Sequence, residues 1–168
     1  MAMDSRIRLA GRADIPALAI VIRETDLYYR SPHTQTVEAT IAKLEALDFG
    51  GTARFEMLLA EVRDGDAWRP AGMATLATLF PTTASSPAFF LKDLFVLEAY
   101  RSLGLGKQLM QRIAALTVER GYTRLDWTAE TNNPATLRFY DTLGAQRREE
   151  KLFFRLNGEA LKKLAGEE

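Results

Sequence analysis

Leu94-Phe95-Val96-Leu97-Glu98-Ala99-Tyr100-Arg101-Ser102-Leu103-Gly104-Leu105-Gly106-Lys107 is the stretch that decides the fold. An apolar strand empties into a turn carrying two glycines, and Leu105, Leu109, Ile113 and Leu116 then recur at the spacing of a helix face. Glycines at such a turn let the backbone bend sharply and present bare amide N–H groups at a helix N-terminus, where the helix dipole favours an anion. The ligand this suits is a phosphorylated cofactor. An ordinary strand-to-helix turn with a glycine pair is the plainer alternative.

Spacing separates the known phosphate loops. A Walker loop requires G-x-x-x-x-G-K-[ST], but Gln108 follows Gly106-Lys107 and Arg101 stands at the first glycine position. The dinucleotide fingerprint G-x-G-x-x-G fails at Leu109. The pattern that remains is [RQ]-x-x-G-x-[GA] after a strand, met by Arg101, Gly104 and Gly106.

Upstream, Arg6 to Ala10 alternates as a short strand, and Asp14-Ile15-Pro16 opens a helix that turns Leu18, Val21, Ile22 and Thr25 inward. A second helix is expected from Thr36 to Leu47, stopped by Asp48-Phe49-Gly50-Gly51. Phe55 to Arg63 and Arg69 to Phe80 read as strands joined by Asp64-Gly65-Asp66, a hairpin turn. Ala88 to Leu97 is a nearly continuous apolar strand, which predicts burial on both faces and a central place in the sheet. Downstream, the long helix reaches about Arg120 and Arg124 to Ala129 alternates as a strand. Asn133-Pro134 then caps a short helix through Leu143 with Gly144 beyond its end. Ala145 to Leu156 is expected to return as a strand, and Gly158 to Ala165 to close the chain as a helix. Late helical crossovers with hairpins in the middle predict a mixed α/β sheet.

The 168 residues fit one domain with an ample core, needing no disulfide or metal staple. The chain has no Cys, which excludes thiol catalysis and thiolate zinc sites and fits a reducing compartment. Basic and acidic residues balance at 22 each, so no long-range field favours nucleic acid or an anionic membrane. The stretch Met1 to Arg6 lacks an apolar leader core, and no apolar run approaches a membrane span. These features together predict a cytoplasmic protein.

The order of elements, the Arg101–Gly106 loop and a second segment resemble the GNAT family of N-acetyltransferases. That segment, Asn133-Pro134-Ala135-Thr136-Leu137-Arg138-Phe139-Tyr140-Asp141-Thr142-Leu143-Gly144-Ala145, is similar to N-x-x-A-x-x-[FL]-Y-x-x-x-G-[FA], with Thr136 where alanine is usual. Within the family, Leu91 to Val96, Tyr100-Arg101, Phe139-Tyr140 and Gly144-Ala145 look most like the spermidine/spermine and thialysine acetyltransferases. The resemblance implies one N-acetyltransferase domain over residues 1–168 and a mostly antiparallel mixed sheet flanked by helices. It further implies acetyl-CoA as cofactor, a small-molecule amine as partner, and a homodimer, for which Leu152, Phe153 and Phe154 offer apolar surface.

Roles for residues follow from it. Leu94, Phe95 and Val96 are expected along the pantetheine arm, with a main-chain N–H polarising the acetyl carbonyl. Arg101, Ser102, Leu103, Gly104, Leu105, Gly106 and Lys107 are expected to cradle the pyrophosphate through amides, Arg101 or Lys107 adding charge. Tyr140, a phenol with a reference pKa of about 10, can protonate the departing thiolate at neutral pH; spacing alone allows a core tyrosine instead. Asn133 touches the coenzyme, caps its helix, or does both, and Thr136 falls in the same cofactor-binding segment.

Asp93, Lys92 and Tyr28 are the candidates for the amine side. Lys92 stands where the polyamine enzymes carry glutamate, which disfavours a polycation and suits a smaller amine, or an amino acid whose carboxylate meets Lys92. The acceptor is therefore expected to be a diamine, polyamine or amino-acid-like amine; a non-catalytic coenzyme-binding scaffold and a protein acetyltransferase are the alternatives. Glu24, Asp26, Tyr28 and Tyr29 end the first helix, where the resemblance implies acceptor-site residues and exposed helix-end charge is the plainer reading. His33, the only histidine, reads as a solvated loop residue, and without partners it implies no metal site.

Overall fold

The strands are β1 (Ser5–Leu9), β2 (Phe55–Asp64), β3 (Ala67–Leu79), β4 (Ala88–Val96) and β5 (Leu125–Trp127), and they form one sheet in sequence order. Three neighbouring pairs are antiparallel and the last, β4 with β5, is parallel. The helices of this part are α1 (Ile15–Tyr28), α2 (Val37–Ala46) and α3 (Leu105–Glu119). The structure is a computed structural model that describes residues 4–166; residues 1–3, where the leader reading began, and 167–168 lie outside the described residues.

Strand alternation divides the core between two faces. On one, Leu18 and Val21 of α1 and Leu44 of α2 pack with Met57, Leu59, Met73 and Phe95 of the sheet. On the other, Leu105 joins Val62 and Ala71, with Ile7, Val96 and Tyr100 against them, beneath α3. Helix α3 buries Leu109, Met110, Ile113 and Leu116 besides Leu105, each such side chain contributing about 1.5–3 kcal/mol.

Two irregularities bend the sheet. Between β2 and β3 the register slips at Ala60/Glu61, where Glu61 faces Pro70, a residue with no N–H to give the ladder. Between β3 and β4 it slips at Thr75/Leu76: Thr75 pairs with Asp93 and Leu76 with Leu91, leaving Lys92 as the extra residue. Near this bulge Gly72 lies under β4 so closely that a Cβ there would meet the Phe95 carbonyl oxygen at 2.6 Å.

An ionic clasp ties β1 to β2 and to the entry of α1. Glu61 receives Arg6 Nε at 2.7 Å and Arg8 Nε at 2.9 Å, and Arg8 also donates to both oxygens of Asp14 at 2.6 and 2.8 Å. Arg8 holds the Asp14 carboxyl below its ordinary range. Burial pushes Glu61 upward, but the bonds from Arg6 and Arg8 outweigh it and the net direction is down.

The chain divides into one unit through Thr128 and a second from Ala129. The second carries α4 (Pro134–Asp141) and α5 (Gly158–Ala165), the latter with the bounds expected from sequence. Arg147 pairs with Asp141 through Nε at 3.0 Å and Nη2 at 2.6 Å.

Two expectations are corrected. Residues 145–156 form no strand: the ladder needs a neighbour, none exists for them among the described residues, and three consecutive apolar side chains, Leu152, Phe153 and Phe154, define no single face and stay exposed. The charged run before them is engaged locally, Arg147 with Asp141 and Arg148 with Glu150. Nor is β4 central. It is the penultimate strand, because β5 adds only three residue pairs beyond it, and its burial fails at Lys92.

Candidate active site

The turn after β4 is built by main-chain bonds. Leu97 N–H reaches the Ala71 carbonyl at 2.8 Å, a single tight turn spans Glu98–Tyr100, and Arg101 N–H donates to Glu98 at 3.2 Å. The bend itself falls at Ser102 and Gly104, with φ of 65° and 77° in the left-handed region. Gly106 is helical, so of the two glycines only Gly104 makes the turn. Leu105, 1% exposed, anchors the start of α3 in the core.

Gly104 offers no side-chain cap, and the first helical bond runs from Gln108 N–H to the Gly104 carbonyl at 3.0 Å. The N–H groups of Leu105, Gly106 and Lys107 precede that bond and have no helical acceptor. Three open donors, the positive end of a 15-residue helix and the Lys107 side chain fit a diphosphate.

Beside this loop the sheet splits. Strand β5 pairs with Phe89, Phe90 and Leu91 and stops where the bulge begins. From Lys92 to Val96 the outer edge of β4 faces no strand among the described residues. Main-chain groups on such an edge can pair with an extended, amide-bearing molecule as they would with a strand. Arg101 Nε already occupies one of them, the Val96 carbonyl, at 3.2 Å.

The bulge also sorts side chains: Phe95 joins the α1–α2 core and Val96 the α3 core. On the α1–α2 side the rings of Tyr28 and Phe95 meet at 5.5 Å and those of Tyr28 and Tyr29 at 5.1 Å. The Arg101 guanidinium lies 4.5 Å from the centre of the Tyr28 ring and 5.5 Å from that of Phe95, a cation held on aromatic faces. Sequence reasoning named Tyr28 and Arg101 for different ligands; the structure brings them together.

A cavity of about 240 Å3 opens between the last turns of α1 and the sheet at the bulge. Leu44, Phe55, Met57 and Met73 give it apolar walls, and Thr25, Thr75, Asp26 and Asp93 its polar ones. Lys92 is no part of that wall; it is exposed, with Nζ 3.4 Å from Asp93 Oδ1. Sequence reasoning named Asp26 only among the charges ending the first helix and passed over Met57 and Met73. The readable signal was Asp26 in the last turn of a helix, where the dipole disfavours an anion. A larger cavity of about 390 Å3, walled by Arg12, Pro16, Ile41, Glu45 and Phe49, shares no residue with the loop or the bulge.

In the second unit, Asn133 caps α4, its Oδ1 accepting the Thr136 N–H at 3.1 Å. Tyr140 is half-buried, its ring 5.1 Å from that of Phe139. His33 is exposed. Among the described residues no group of three or more His, Cys, Asp or Glu is placed to hold a metal ion, and no helix is long and apolar enough to cross a membrane.

Comparison with known proteins agrees with this geometry. Residues 21–145 match the Acetyltransferase (GNAT) family, and the chain belongs to that family. It is 28% identical to the thialysine N-epsilon-acetyltransferase of Mus musculus over 96% of this chain and 98% of that one. It is 33% identical to the L-ornithine N5-acetyltransferase NATA1 of Arabidopsis thaliana, over 54% of this chain and 40% of that protein. Among solved structures, an integron cassette protein from the mobile metagenome of V. cholerae superposes with a TM-score of 0.85 at 30% identity, covering 98% of both chains. The protein is thus an acyltransferase, with acetyl-CoA the acyl donor characteristic of its family.

Proposed function

We propose that residues 1–168 act as one N-acetyltransferase domain that moves an acetyl group from acetyl-CoA to the primary amine of a small molecule. The observation that carries this reading is the continuity of two unsatisfied main-chain features: the open edge of β4 from Lys92 to Val96 leads into the uncapped N-terminus of α3. Acetyl-CoA supplies a thioester-activated acetyl group. The amides of Leu105 to Lys107 bind its diphosphate with charge from Lys107 and from Arg101, which leaves the Val96 carbonyl to do so. The Leu94–Val96 edge aligns the pantetheine amides, and a main-chain N–H there polarises the acetyl carbonyl. Asn133 and Thr136 contribute from the start of α4. Tyr140 holds a phenolic proton through neutral pH and gives it to the leaving sulfur.

The amine enters from the side of Tyr28, Asp93 and Lys92. The thialysine and ornithine enzymes named above act on small amines, which supports a substrate of that size. The exposed Leu152, Phe153 and Phe154 serve a homodimer. A chain without cysteine fits the cytoplasm.

Thiol release from acetyl-CoA across a panel of primary amines, with coenzyme-induced thermal stabilisation read alongside, tests the proposal. Turnover of at least one amine is expected; stabilisation without turnover on every amine makes the protein a coenzyme-binding scaffold. Tyr140→Phe is expected to lower kcat about 100-fold or more, with coenzyme affinity within about twofold. An unchanged kcat removes the phenol as the acid.

A further inference from the structure

We infer that the cavity beside the β4 bulge makes this enzyme select amines that carry no carboxylate, with Asp26 as a residue that determines the choice. The inference rests on the acetyltransferase reading above and narrows its substrate class.

Among the described residues the charged groups in the cavity wall are two carboxylates, Asp26 and Asp93. Asp93 has a counter-ion in Lys92, but among the described residues Asp26 has none. It sits in the last turn of α1, where the helix presents its negative end and holds no basic side chain to offset it. Such a site favours an arriving cation. The opposite wall, Leu44, Phe55, Met57 and Met73, accepts a hydrocarbon body, and the two thioethers adapt to its shape.

An amino acid brings a carboxylate into this wall. Lys92 could meet it only outside the cavity, since its exposed side chain is not part of the lining. Within the lining the new anion faces two like charges, one of them without a counter-ion among the described residues, and meets the hydroxyls of Thr25 and Thr75 as donors. The decarboxylated amine of the same skeleton keeps the cation, keeps the apolar contact and avoids the repulsion. This sets the chain apart from the amino-acid substrates named for its thialysine and ornithine relatives.

Two matched pairs test this with the full chain: 1,4-diaminobutane against ornithine, and tyramine against tyrosine, each pair differing by one carboxylate. With acetyl-CoA saturating, kcat/KM is expected to favour the uncarboxylated member of the better pair by about tenfold or more. Asp26→Asn is expected to raise KM for the favoured amine about tenfold with kcat within about twofold, shrinking the preference, because binding lost equally from ground and transition states appears in KM. Glu38→Gln, an exposed charge outside the cavity, serves as the control with unchanged kinetics. Equal or better turnover of the carboxylated members, or an Asp26→Asn enzyme with unaltered preference, overturns the inference and leaves the acetyltransferase reading intact. Failure to turn over any amine, in the wild-type protein, removes both.

Discussion

The chain up to Thr128 and the chain after it use apolar residues in opposite ways. The first stretch places Leu18, Leu58, Leu59, Leu76, Phe89, Leu109 and Ile113 at essentially zero exposure. The second buries no residue, and leaves Leu152, Phe153, Phe154, Leu156, Leu161 and Leu164 half-exposed or more. Apolar content alone therefore does not make a core. What distinguishes the two is pairing: the first stretch supplies each strand with a neighbour, whereas residues 145–157 find none among the described residues. The exposure of this contiguous apolar run is the ground for the proposed contact with a second copy of the chain.

The sharpest test replaces the same residue type in both stretches. Phe89→Ala removes a fully buried ring whose centre lies 4.8 Å from that of Tyr122, tilted against it, and should cost about 3–5 kcal/mol in urea unfolding. Intermediate in size is the ionic clasp of Arg6, Arg8, Asp14 and Glu61. Both carboxyls lie below their unfolded values, so the unfolded chain binds more protons, and their stabilisation is complete above about pH 5 and fades as pH falls through the folded values. Arg8→Met should cost about 1–2 kcal/mol at pH 7, discounted because the guanidinium is partly exposed, and should flatten the decline of the urea midpoint below about pH 5. A slope equal to that of the wild type would show the clasp to be energetically idle.

The smallest effect is expected at Phe154, which is 84% exposed: Phe154→Ala should change monomer stability by less than about 0.5 kcal/mol while weakening self-association seen by sedimentation equilibrium. A loss as large as that at Phe89 would break the contrast between the two stretches. An unchanged monomer–dimer balance would remove this run from the interface.

What was legible in the sequence was local. The caps and breakers gave α1 its acidic entry and proline, α4 its Asn133 cap and α5 its limits, while Gly104 announced the turn. The strand expected over 145–156 misled because an apolar run reports only what a segment could pair with, and pairing is a property of two segments. The bulge at Lys92 was invisible for the same reason: only the register against Thr75 and Leu76 shows which residue is extra. Sequence alone therefore places Lys92 next to Asp93 in the chain, but not as the bulged, exposed residue paired to it. The cavity wall drew Asp26 from one helix, Met57 and Met73 from two strands and Asp93 from a third, a convergence no spacing rule encodes.

Gly72 gives this layout an unexpected vulnerability. It belongs to β3, touches neither the loop nor the cavity, and would pass in a mutational survey for a filler position. Yet any added methyl presses on the Phe95 carbonyl, and the neighbour that must give way is the strand whose open edge is proposed to take the coenzyme. Sensitivity here follows the thickness of the sheet, so a redesign of the pocket has less freedom behind β4 than in front of it.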